Sequence, residues 1–165
     1  MKQIMAPHVQ QINVKPDIRG EVGLPKMPIN TANVTFSGID GDYNRFRKKK
    51  KDNDPDMAIM IISTDILFEL NQEGWPVQPG DLGENLTLSG MDYGSIEPGQ
   101  QYKIGDVTLK ISFICDPCSN LYALPYVGED RGPEFIKTLM NRRGWYACVL
   151  TPGIMKPGDE VALLK

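Results

Sequence analysis

At 165 residues, with 41% hydrophobic and 24% charged side chains, the chain has the size and composition of one folded domain, residues 1–165, with its own core. A formal net charge of −3 argues against nucleic-acid binding, which usually needs a basic face. No apolar stretch approaches the roughly 20 residues of a membrane span. The N-terminus lacks the apolar core of a signal peptide, and three cysteines make no disulfide framework. The expectation is a reduced, cytoplasmic protein.

Thirteen prolines and 16 glycines fall between short apolar runs, a pattern that favours many short strands joined by turns. Val9 to Val14 reads as the first strand. Met27 to Phe36 reads as holding another, with Ile29, Val34 and Phe36 inward. The run Arg45-Phe46-Arg47-Lys48-Lys49-Lys50-Lys51 is block charge, so residues 46–54 are expected to be a mobile, solvated excursion. The same run can also serve as an electrostatic lip for a phosphate-bearing ligand.

Met57 to Ile62 is continuously apolar, as suits a strand buried on both faces. Ser63 or Thr64 then caps a helix, in which Ile66, Leu67 and Leu70 recur at helical spacing until Gly74 stops it. Leu86 to Leu88, Gln101 to Ile104 and Val107 to Ile114 read as strands. In the last, Val107, Leu109, Ile111 and Phe113 alternate against Thr108, Lys110 and Ser112, so one face is wet. Pro133 to Arg143 reads as a second helix, with Pro133 in its first turn and Gly144 as its C-cap. Trp145 to Leu150 and Glu160 to Leu164 close the series. About eight strands and two helices, without a βαβ rhythm, predict an α+β, mainly β domain: a β-barrel-like arrangement of mostly antiparallel strands.

Chemistry concentrates in three loops. In Gly80-Asp81-Leu82-Gly83-Glu84-Asn85-Leu86-Thr87 the glycines lack a Cβ, so backbone N–H groups can approach an anion. Asp81 and Glu84 read as carboxylates that hold this loop through backbone N–H groups. Asn85 can both donate and accept, toward a heterocycle edge or as a backbone anchor. In Asp40-Gly41-Asp42-Tyr43-Asn44-Arg45, Arg45 can bind a phosphate bidentately. The third loop, Cys115-Asp116-Pro117-Cys118, follows a strand and presents a soft, nucleophilic thiol. Plainer alternatives stand beside each: a Gly-rich turn, a surface arginine, a buried structural cysteine. The Cys-x-x-Cys spacing also admits a redox dithiol of Cys115 and Cys118, or half of a zinc site; His8 and Cys148 do not complete zinc-ribbon spacing.

The order of these segments resembles the MOSC domain, the family named after the C-terminal domain of molybdenum cofactor sulfurase. The matching motifs are Ser37-Gly38-Ile39-Asp40-Gly41-Asp42, the Gly80–Thr87 loop with Gly83-Glu84-Asn85-Leu86-Thr87 as its most specific part, and Gly90-Met91-Asp92. Ile104-Gly105-Asp106-Val107, Pro117-Cys118, Gly144-Trp145-Tyr146-Ala147-Cys148 and Gly158-Asp159-Glu160-Val161 continue the match. The resemblance implies the barrel-like fold and a molybdenum cofactor, whose organic part is molybdopterin. It makes Cys118 the catalytic residue and metal ligand, holding sulfur as a persulfide or bonding molybdenum. Asp42, Arg45, Gly83, Glu84, Asn85 and Cys118 become the cofactor-binding set. Relatives include reductases of N-hydroxylated compounds and sulfur-transfer enzymes. The chain is too short to include a desulfurase domain, so sulfur is expected from a cysteine desulfurase partner, with a molybdoenzyme as another partner.

Two departures keep a non-enzymatic binding or carrier module open, beside the dithiol redox protein. Many family members have arginine three places before the cysteine, where this chain has Cys115. A histidine often follows Gly-Asp; here Asn44 and Arg45 stand there. The first departure removes one candidate cation for the Cys118 sulfur.

Overall fold

The computed structural model describes residues 6–21, 24–43 and 52–165. The strands are β1 (His8–Val14), β2 (Met27–Ile29), β3 (Ala32–Thr35), β4 (Gly38–Ile39), β5 (Ile59–Ser63), β6 (Leu86–Ser89), β7 (Gln101–Ile104), β8 (Val107–Ile114), β9 (Trp145–Thr151), β10 (Gly153–Met155) and β11 (Val161–Leu163). The helices are α1 (Thr64–Gln72) and α2 (Gly128–Thr138). Eight strands make one sheet in the order β11-β7-β8-β9-β5-β6-β1-β2, and β10-β3-β4 make a second.

The sheet is barrel-like rather than closed. Its edges are β11 and β2, yet β1 reaches the segment before β11 through the lone His8–Glu160 bridge. Val9 N–H to Asp159 O at 2.9 Å, Gly158 N–H to Val9 O at 2.8 Å and Val161 N–H to Pro7 O at 2.8 Å reinforce it. Pairing is antiparallel except between β5 and β6, which run parallel with α1 between them. That βαβ unit was not expected. β6 reads as a short polar-flanked strand, and nothing in its four residues marks its direction.

β5 is the predicted strand buried on both faces: all five of its residues are buried. It stands between β9 and β6, with Ile59, Ile61 and Ile62 in the main core. Each buried aliphatic side chain contributes about 1.5–3 kcal/mol relative to exposure. α1 lays Ile66, Leu67 and Leu70 inward, as its periodicity predicts. Ser63 occupies the N-cap, but its hydroxyl bonds the Asp65 carboxylate instead of a backbone N–H.

Three local expectations are corrected. Phe36 is 61% exposed, because β3 ends at Thr35 and Phe36 sits in the turn to β4. Phe113 is 40% exposed, where the β8–β9 register shifts between Ile111 and Ile114 and breaks the alternation. The second helix starts at Gly128, so Pro133 lies inside it, and it ends at Thr138. Asn141, at φ 65, turns the chain left-handed before Gly144 is reached, so Gly144 caps nothing.

A smaller cluster of Met57, Met60, Cys115 and Tyr146 packs apart from the main core, behind the loop that carries Cys118. The basic run Arg45–Lys51 lies outside the described residues, and so does most of the excursion expected over 46–54. Of its described end, Asp54 caps the short 3-10 turn Pro55–Met57 by accepting Asp56 N–H.

Candidate functional site

β8 delivers the chain into Cys115-Asp116-Pro117-Cys118, and a 3-10 turn, Ser119–Ala123, follows. Cys115 is 2% exposed, whereas Cys118 is partly exposed, so the second thiol is the one solvent can reach. Burial raises the pKa of Cys115 against the opposing pull of Arg143 and Tyr146. Cys115 is thus the more enclosed of the pair, as its place nearer the strand implies.

Arg143 is the residue the sequence reading missed. It leaves the turn after α2 and enters the protein, 7% exposed. Its Nη1 donates to Cys118 Sγ at 3.2 Å and to Asp116 O at 3.2 Å. Its Nε and Nη2 donate to Leu82 O at 3.2 and 3.1 Å. The acceptors are two carbonyls and a sulfur, with no carboxylate among them. Burial works against the guanidinium charge, but the thiols of Cys115 and Cys118 and the bond to Cys118 hold its pKa above the ordinary arginine value. The cation lost at position 115 is therefore supplied from 25 residues downstream of Cys118.

The same guanidinium joins Cys118 to the glycine loop. Leu82 O, its acceptor, lies beside Gly83, where a Cβ would meet Leu24 Cδ2 at 2.7 Å and Arg143 Nη2 at 3.6 Å. At Gly80 a Cβ would stand 2.2 Å from Lys26 O, and its φ is +93°. Both glycines are needed for close approach, but what approaches is this protein's own backbone and side chains. Asp81 Oδ2 accepts Gln78 N–H at 3.0 Å and the Tyr126 hydroxyl at 2.9 Å. Glu84 Oε2 accepts Gly80 N–H at 3.0 Å and the Thr87 hydroxyl at 2.9 Å. These carboxylates brace the loop, as the sequence reading expects.

Asn85 and Asp42 meet. Asn85 Nδ2 donates to Asp42 Oδ2 at 2.8 Å and to Asn13 O at 3.2 Å, while its Oδ1 accepts Met60 N–H at 3.0 Å. Lys26 Nζ donates to both oxygens of Asp42, at 2.9 and 2.8 Å, and Lys15 N–H adds a third partner at 3.0 Å. The Lys26–Asp42 pair is buried, with side chains 3% and 8% exposed. The structure thus places Asp42 and Asn85 in one node and Cys118 in another, with the loop at 80–87 between them. Arg45 lies outside the described residues. Neither Lys26 nor Arg143 stood out in the sequence: one is a single lysine beside a proline, the other the second of an arginine pair. Among the described residues no group of three or more His, Cys, Asp or Glu side chains could hold a metal ion. No helix among them is long and apolar enough to cross a membrane.

Glu84 carries a testable consequence. It is 0% exposed, and its Oε1 has no hydrogen-bond partner among the described residues. Burial pushes its pKa up to about 7 from 4.5, against the bonds from Gly80 and Thr87. Unfolded chains release this proton near pH 4.5 and folded ones hold it to about 7, so ionisation favours unfolding between those values. Its stabilising contribution is complete below pH 4.5 and is lost as pH rises through about 7. The loss is on the order of 3 kcal/mol. Denaturant unfolding across this range should show that slope, and Glu84→Gln should flatten it. Equal slopes in the two proteins would refute the assignment.

Residues 32–162 match the family model described as the MOSC domain. Among solved structures, the chain is similar to the YuaD protein of Bacillus subtilis, with a TM-score of 0.77, 20% identity and 96% of each chain covered. It is also similar to YiiM of Geobacillus stearothermophilus, at TM-score 0.71 and 22% identity, covering 96% of this chain and 75% of that one. YiiM of Escherichia coli superposes at 0.66 with 19% identity, covering 98% and 70%. At these identities the likeness is one of fold. No protein of curated function matches the chain.

Proposed function

Because this chain belongs to the MOSC domain family, we propose that it is a molybdenum-cofactor protein whose working group is the sulfur of Cys118. The observation that carries this reading is the buried guanidinium of Arg143, 3.2 Å from Cys118 Sγ and without a carboxylate partner among the described residues. A buried charge needs compensation. An anionic sulfur on Cys118, whether thiolate, persulfide or metal-bound thiolate, meets that need.

The donor set fits the sulfur and metal end of the cofactor. Thiolate is a soft ligand suited to such metals, and the partly exposed Cys118 offers it at a rim. Bound there, the cofactor would supply oxygen-atom or sulfur chemistry at its metal. Cys118 would hold the metal or carry the sulfur. Arg143 would orient the sulfur and neutralise its charge, and the loop at 80–87 would keep Arg143 in place through Leu82 O. Arg45 is assigned to the phosphate. Sulfur would come from a cysteine desulfurase partner and pass to a molybdoenzyme.

A second reading, the non-enzymatic carrier, draws on a separate observation. Asp42, Glu84 and Asn85 all spend hydrogen bonds inside the protein. That suits holding and delivery better than acid–base turnover.

The test is analysis of protein purified from a host able to make molybdenum cofactor. Molybdenum, pterin and sulfane sulfur should each be measured beside the Cys118→Ser variant. Metal with pterin, or trapped persulfide, should accompany the wild type and drop in the variant. Equal, background levels of all three in both proteins would end the reading.

A further inference from the structure

We propose that Cys115 is a resolving thiol, which attacks Cys118 Sγ when that atom carries a second sulfur and so releases that sulfur as sulfide. The proposal rests on the sulfur-carrying role of Cys118 put forward above.

The geometry is a continuous chain of contacts around one carbonyl. Cys115 Sγ contacts Asp116 O at 3.6 Å. Arg143 Nη1 donates to that same oxygen at 3.2 Å and to Cys118 Sγ at 3.2 Å. Cys118 thus meets the guanidinium directly and Cys115 reaches it through Asp116 O, and each acts on its charge. The backbone of Cys115 is pinned by its N–H to Gly144 O at 2.8 Å, adjacent to Arg143. The two cysteines differ in access. Cys118 can be loaded from solvent, while Cys115 waits behind it in the cluster of Met57, Met60 and Tyr146. A solvent-reachable sulfur acceptor poised next to a second thiol is the arrangement of redox-active cysteine pairs. Cys148 lies on β9 opposite Lys110 and takes no part in this contact chain.

The step balances. The sulfur of Cys115 attacks Cys118 Sγ, the persulfide S–S bond breaks and the Cys115–Cys118 bond forms. The outer sulfur leaves as hydrosulfide and takes the proton given up by Cys115. Relative to the dithiol, the protein has lost two electrons, and the sulfur delivered as sulfane has gained them. A dithiol reductant then restores the pair.

The experiment uses the full chain carrying Cys148→Ser, so that only the two cysteines of the loop react. In one arm an aromatic disulfide reagent loads Cys118, and the released chromophore is counted. With Cys115 present, two equivalents should leave and mass spectrometry should show an internal disulfide. With Cys115→Ser or Cys115→Ala, one should leave and a stable adduct should remain on Cys118. The alanine variant adds no buried hydroxyl and guards against misfolding. A lasting Cys118 adduct in the protein that has Cys115 would overturn the proposal. In the second arm inorganic polysulfide loads the sulfur. Sulfide should be released with Cys115 present, and persulfide should persist without it. Resolution in the first arm with no sulfur uptake in the second would leave the thiol pair standing and remove the sulfur-carrying function.

Discussion

Replacing Arg143 with methionine is expected to cost about 3–5 kcal/mol of folding stability and to slow alkylation of Cys118 by roughly 10–100-fold. The stability figure follows from the acceptors it leaves behind. Leu82 O takes two of its bonds and Asp116 O a third. A buried acceptor stripped of its partner costs about 1–3 kcal/mol. The rate figure follows from the sulfur. A hydrogen bond from a charged donor contributes about 1.5–3 kcal/mol, and each 1.4 kcal/mol is tenfold. Arg143→Lys separates the two effects. An ammonium keeps the charge, but it cannot span Leu82 O, Asp116 O and Cys118 Sγ in the fork geometry of a guanidinium. It should recover part of the reactivity and little of the stability. Denaturant unfolding and timed iodoacetamide labelling read both quantities. Wild-type labelling of Cys118 in the methionine variant would dismiss Arg143 from the site.

Breaking the Lys26–Asp42 pair is expected to be comparably severe. Lys26→Met leaves the Asp42 carboxylate enclosed, with Lys15 N–H and the Asn85 amide to hold it among the described residues. Removing one partner of a buried ion pair typically costs about 3–5 kcal/mol. Combining Lys26→Met with Asp42→Asn removes both charges and should regain part of the loss: the amide oxygen can still accept from one of its two donor neighbours, Lys15 N–H or Asn85 Nδ2, while its NH2 faces the other. Chemical unfolding of the single and double variants closes the cycle. A single-variant loss below about 1 kcal/mol would mean that water, not Lys26, balances Asp42. The result also bears on whether Asp42 is free to meet a ligand, since a carboxylate this committed acts on Cys118 only through the loop it supports.

Most of the scaffold was legible because its signals are local. The apolar run at 57–62 has one sensible use, a strand covered on both sides, and β5 is that strand. Ile66, Leu67 and Leu70 repeat within a helical turn, so α1 needed no distant information. Glu84 and Asp81 could be read as loop braces because their partners lie within a few positions. What could not be read depends on contacts far apart in sequence. Arg142 and Arg143 look alike in the chain, yet Arg142 turns outward to Glu69 and Glu73 while Arg143 turns inward. Only the path of the chain after α2 decides between them. The parallel β5–β6 pairing is likewise decided by how α1 returns the chain, which the four residues of β6 do not encode. Phe36 illustrates the reverse case: an aromatic beside a strand reads as core, yet the turn carries it outside.

The lone bridge between His8 and Glu160 has a kinetic meaning. It joins segments about 150 residues apart in sequence, and such contacts pay a large loop-closure entropy before they return anything. On a ribosome, β1 emerges long before residues 158–161 but must wait for them before its outer flank is satisfied. β1 is also the strand whose Asn13 grips the loop at Glu84, Asn85 and Thr87. The setting around Cys118 is thus finished only after residues 158–161 have emerged. Both thiols of the loop leave the ribosome before Arg143 does. During that interval they are ordinary cysteines, and the chemistry proposed for them begins once Arg143 and the segment at 158–161 are in place.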